Sequence, residues 1–188
     1  MQPLFTPPMI ATNHTLDLLV DALANPGRVV AMDGLLNPPR PLHFSSAAVC
    51  HSCLNDHTRL WTDLDPDGIT GRWLSIVCGG RHLSRPNRAE VVVITQPLKM
   101  PSLDSFTRIS RSLPYHSPLL VIQTRGFVMG SGQTLDGKTD TAVEQLTVKG
   151  LKSDFWDMRK ACLQSYNTAP DLVFTYKNLL VAVPGQDS

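Results

Sequence analysis

The chain has 188 residues, 42% of them hydrophobic and 18% charged, which is enough length and apolar content for one globular domain that buries its own core. A net charge of +1 supplies no field to recruit nucleic acid or an anionic membrane, so neither is an expected partner. The start, MQPLFTPPMIA, carries no basic segment leading into an apolar run, no stretch reaches the length of a membrane span, and the four cysteines are expected as reduced thiols in the cytoplasm.

Residues 1–11 read as an N-terminal arm. TNHTLDLLVDALANPG (12–27) predicts a helix: Leu16, Leu19, Val20 and Leu23 share a face, Thr12 or Asn13 stands where a cap belongs, and Asn25-Pro26-Gly27 ends it. RVVAM (28–32) predicts a strand. SSAAVCHSCLNDH (45–57) opens on cap-type serines and predicts a helix, which runs into a short strand, TRLWT (58–62). After a DPDG turn, ITGRWLSIV (69–77) predicts another helix. GGRHLSRPNR (79–88) reads as a loop. AEVVVIT (89–95) is a continuous β-branched run, the pattern of a strand buried on both faces. SLDSFTRISRSL (102–113) spaces Leu103, Phe106 and Ile109 for a helix, and SPLLVIQTRGF (117–127) is a strong strand. EQLTVKG (144–150) predicts a strand, SDFWDMRKACL (153–163) a helix, and DLVFTYKNLLVAVP (171–184) two strands around a tight turn, followed by a short tail at 185–188. Helices alternating with strands, then a strand-rich end, describe a single layered α/β domain over 1–188 with a mixed sheet.

GSGQTLDGKT (130–139) contains Gly132, Gly137, Lys138 and Thr139 at the spacing of a phosphate-binding loop. Such a loop needs a buried strand before it and a helix starting at the Lys-Thr pair, whose amides then cradle the phosphates. LLVIQT satisfies the first condition. DTAVEQLTVKG (140–150) leaves at most two helical turns before a β-branched strand pattern, and no later strand ends in the Asp that would hold magnesium. A Gly-rich connection between adjacent strands is the preferred reading; a stand-alone ATP-binding enzyme is the alternative.

Other groups carry less. Cys50, Cys53 and His57 would share one helical face, but a zinc site lacks its fourth ligand, and Cys78, His82 and Cys162 are isolated. Small apolar cysteines on a core-facing stripe explain the pair. No G-x-S-x-G elbow presents a nucleophilic serine, and no lysine has the context of a Schiff-base site. Arg81, Arg85 and Arg88, with His82, form a basic loop that could meet a phosphate or an acidic surface.

The order of segments resembles one family. LLVDALANPGRVVAM (18–32), RPLHFSSAAVCHSCLNDHTRLW (40–61) with its Asp56-to-Trp61 ending, RPNRAEVVVIT (85–95) and DLVFTYKNLLVAVP (171–184) follow each other as in the H subunit of the bacterial carbon–phosphorus lyase system. The chain departs from that pattern where the family has a strand with a Phe-His-Thr run, here Ile76-Val77-Cys78, and in its tail after Pro184. The resemblance implies a three-layer fold similar to the large domain of pyridoxal-phosphate transferases without the cofactor. It further implies a homodimer docked onto other subunits of a complex that joins alkylphosphonates to the ribose of ATP, displacing adenine, before the carbon–phosphorus bond is broken. The family's chemistry belongs to other subunits, so the resemblance implies no catalytic residue, cofactor or metal in this chain.

Overall fold

In the computed structural model the described residues are 8–107, 117–135, 144–166 and 169–185. Along the chain they form α1 (Pro8–Ala24), β1 (Val30–Ala31), α2 (Phe44–Cys53), β2 (Arg59–Thr62), α3 (Ile69–Ile76) and β3 (Arg81–His82). There follow β4 (Val91–Ile94), α4 (Asp104–Thr107), β5 (Leu119–Gln123), β6 (Gly126–Leu135), β7 (Glu144–Lys149), α5 (Phe155–Tyr166), β8 (Asp171–Tyr176) and β9 (Leu179–Val183). Seven strands make one sheet in the order β1-β9-β8-β5-β4-β2-β3, and β6 and β7 form a separate antiparallel hairpin. Strands β3, β2, β4, β5 and β8 run parallel; β9 turns back antiparallel to β8, and β1 pairs antiparallel with β9. The expected mixed sheet is therefore present, mostly parallel.

Alternation along the central strands divides the core. Val91, Val93, Val121, Val173 and Leu180 point to the face covered by α1, α2 and α3. Val92, Ile94, Leu120, Ile122 and Phe174 point the other way, to Phe106 of α4, Phe155 and Cys162 of α5, and Leu146 of the hairpin. The sheet thus lies between two helical layers, which is why the β-branched runs are apolar at every position rather than at alternate ones. Each fully buried aliphatic side chain contributes about 1.5–3 kcal/mol, so this double-sided core dominates the stability.

Several local expectations change. Helix α1 already begins at Pro8, so Thr12 and Asn13 lie inside it rather than at its cap. Helix α2 begins at Phe44 with His43 in the cap position, and Ser45 and Ser46 are fully buried instead of capping. It ends at Cys53, which leaves His57 in an exposed turn, off the helical face assigned to it. Residues 76–78 close α3 and its turn rather than forming a strand. The basic loop contains a two-residue strand, β3, because Arg81 and His82 pair with Arg59 and Leu60 at the sheet edge. Of the segment 102–113, only Asp104–Thr107 is helix among the described residues, and Ile109 lies outside them.

Candidate functional site

Parallel strands end in loops that are free of helix packing, so ligands of layered α/β domains gather at the carboxyl ends of the strands. Here that edge carries a cleft of about 280 Å³ between the ends of β4 and β5. Thr95 to Lys99 follow β4; Gln123, Thr124 and Arg125 close β5; His43 comes from the start of α2 and Gly150 from the end of β7.

Its floor is held by a buried polar network. The Gln123 carbonyl accepts the His43 amide at 2.5 Å and the Ser46 hydroxyl at 2.9 Å, while its NH2 donates to the Pro41 carbonyl at 3.1 Å. The Ser46 and Thr175 hydroxyls also hydrogen-bond to each other at 2.7 Å, and the Thr175 hydroxyl reaches the Ile122 carbonyl at 3.3 Å. The Thr124 hydroxyl donates to the Thr175 carbonyl at 3.1 Å. On the other side the Asp63 carboxylate, just past β2, accepts the Thr95 amide and hydroxyl and the Gln96 amide at 2.8–3.0 Å. The first set ties the ends of β5 and β8 to α2, and the second ties the end of β2 to that of β4. They also occupy the hydroxyls.

The chemistry left to the cleft is limited. Thr95 and Thr124 already donate to acceptors, and among the described residues no carboxylate lines the wall and His43 is the one imidazole there. Burial lowers the His43 pKa, with the Thr175 backbone pulling weakly the other way, so the ring stays neutral near pH 7. Its ring packs edge-on to Tyr176 at 6.0 Å, and Nδ1 is buried without a hydrogen-bond partner. Exposed Lys99 and Arg125 at the rim suit it to hold an anionic group, whereas no nucleophile and base are paired for a covalent step.

Among the described residues, those singled out from the sequence do not line this cleft. Gly132 lies in β6 at φ +100°, where an added Cβ would strike the Thr147 hydroxyl and the Leu146 carbonyl; it allows the hairpin strands to approach across a bulge. Gly137, Lys138 and Thr139 lie outside the described residues. Leu135 pairs with Glu144, so the segment joins two antiparallel strands, and a helix begun at Lys138 would have only residues 138–143 to occupy. The flanks are those of a hairpin.

The thiols behave as core. Cys50 packs fully buried in one core cluster with Cys53 half-buried against it, and Cys78 joins them from the end of α3, a proximity the sequence does not announce. Burial raises Cys50 well above its ordinary range, with smaller contributions from the Cys78 and Cys53 charges; it also pushes Cys53 up to about 11 and Cys78 to about 12. Such thiols stay protonated and unreactive at neutral pH. Among the described residues no group of three or more His, Cys, Asp or Glu side chains could hold a metal ion. Arg81, Arg85 and Arg88 are exposed, and the His82 ring meets the Gly71 carbonyl at 3.0 Å, so the basic residues of this segment line no cavity with the cleft. Sequence reading passed over Gln123 and His43 altogether. A buried Gln at the end of an apolar run was the available signal for the first; nothing marked the second.

Fold and cleft together define a layered α/β protein whose strand ends form a polar, stapled cleft without a paired nucleophile and base. Comparison with known proteins places it more narrowly. The model of the family described as bacterial phosphonate metabolism protein (PhnH) matches residues 3–186, and the chain belongs to that family. It is similar to the alpha-D-ribose 1-methylphosphonate 5-triphosphate synthase subunit PhnH of Rhizobium meliloti (strain 1021), 23% identical over 185 residues that cover 96% of this chain and 90% of the relative. Among the described residues no helix is long and apolar enough to cross a membrane.

Proposed function

We propose that this protein is a cytoplasmic, homodimeric subunit of the carbon–phosphorus lyase system that supports attachment of an alkylphosphonate to the ribose of ATP, with loss of adenine, through assembly rather than through an active site of its own. The observation that carries the proposal is the match along nearly the whole chain to a family of phosphonate metabolism and to a synthase subunit. The cleft supports it from the chemical side, because its hydroxyls are engaged in structure and the His43 imidazole is neutral. A similarity to the large domain of pyridoxal-phosphate transferases, without cofactor, fits the parallel strands between two helical layers; Lys99 sits exposed at the cleft rim.

Deleting the gene is expected to abolish growth on methylphosphonate as sole phosphorus source and leave growth on phosphate unchanged. Complementation with the His43→Ala variant is expected to restore growth, since no bond-breaking step depends on that ring. Normal growth of the deletion strain on methylphosphonate would refute the proposal. Failure of His43→Ala alone, with the variant folded, would move catalysis into the cleft.

A further inference from the structure

Helix α3 leaves much of its apolar surface in water. Its core side consists of Thr70, Gly71 and Leu74, of which Leu74 alone is large and apolar. At 100° per residue, Ile69, Trp73, Ile76 and Val77 fall within one arc of about 100° that borders the core side, with Ile69 and Ile76 at its far edge. Ile69 is 82% exposed, Ile76 80% and Val77 44%, with Trp73 half-buried at the edge of the core. An amphipathic helix normally spends such a stripe on the core, so a stripe left in water at this length marks a contact surface. Its position fits that role: α3 leads into β3, the last strand of the sheet on that side.

Charges at the two ends of the stripe say what covers it. The turn that enters α3 carries exposed Asp65 and Asp67, and the strand that follows it begins with exposed Arg81. An acidic head and a basic tail make the stripe complementary to itself when two copies pack antiparallel, as a two-fold axis requires, and the helix dipoles then also oppose favourably. Arg72 flanks the stripe and meets its own counterpart on one rim, where water and salt screen the repulsion and its aliphatic stem adds apolar cover. We propose that the Ile69–Trp73–Ile76–Val77 face of α3 is the surface on which a second copy of this chain docks, antiparallel and centred on Trp73. This rests on the homodimer reading and gives it an address.

Sedimentation velocity across a concentration series tests it. Ile76→Glu, at an exposed position, should leave the circular dichroism spectrum unchanged and weaken dimerisation by roughly 30-fold or more, the loss typical of a central contact residue. Asp67→Lys should weaken it roughly fivefold, and adding Arg81→Asp should restore it, as an end-to-end pairing of opposite charges demands. Arg72→Cys should form a disulfide dimer under mild oxidation where the wild-type chain forms none. A wild-type dimer that Ile76→Glu leaves intact overturns this surface while sparing the homodimer. A wild-type monomer at tens of micromolar overturns both. A monomer whose stripe is needed for binding another subunit would assign the face to that partner and likewise overturn the proposal.

Discussion

Helices α2 and α3 cover the same face of the sheet and treat it oppositely. Residues 45 to 50 of α2 are buried on every side, two of them serines, so its sequence shows almost no amphipathic contrast. Helix α3 has the sharper contrast and turns the apolar side outward. The pair teaches that helical periodicity reports where apolar side chains sit relative to each other and leaves open which side meets the core. A helix buried all round satisfies its polar groups internally, as Ser45 and Ser46 do with Lys177, Gln123 and Thr175. A helix at the sheet edge can use a narrow core contact and keep its broad apolar side for another surface.

The comparison can be broken at α2 first. Gln123→Leu leaves the His43 amide and the Ser46 hydroxyl without their acceptor in a buried setting, and unfolding in urea should show a loss of about 3 kcal/mol. A loss under about 1 kcal/mol would mean the network contributes little beyond packing. A smaller, pH-dependent effect follows from His43. Its pKa in the fold lies below the ordinary value of 6.5, so its contribution to stability is present above pH 6.5 and is lost as pH falls through the lowered value. Thermal unfolding of His43→Gln should therefore lose less stability on acidification than the wild type. The smallest effect belongs to α3: Ile76→Ser in dilute, dissociated protein should change stability by no more than about 0.5 kcal/mol, because the side chain leaves water in neither state. A loss of about 2 kcal/mol there would mean the stripe is core after all.

The central strands were legible because burial on both faces leaves one composition open to them, β-branched and apolar, as in Val91–Ile94 and Leu119–Gln123. Strand β3 was not, because Arg81 and His82 enter the sheet through backbone pairing at an edge that asks nothing apolar of them. The cap residues misled for a related reason: serines before an apolar run signal a helix start, but here they serve a tertiary network whose partners lie 77 to 132 residues away. The cleft suffers most. His43, Thr95, Gln123 and Gly150 are brought together by the order of β4 and β5 in the sheet and by the packing of α2 and the hairpin beside them, and no spacing along the chain encodes their meeting. The phosphate-loop pattern shows the converse: a local spacing whose described flanks, β6 and β7, are paired as an antiparallel hairpin.

The turn between β8 and β9 has a consequence for how the protein is made. Its Lys177, at φ 54°, presents one carbonyl to both the amide and the hydroxyl of Ser45, the first turn of α2, and the neighbouring Asn178 carbonyl receives the Met32 amide. Strand β1 in turn finds its partner in β9. A nascent chain that has released its first half from the ribosome thus holds a helix start and an edge strand with nothing yet to close them. The β8–β9 hairpin, which comes later in the chain, is the clasp that closes over β1 and the start of α2.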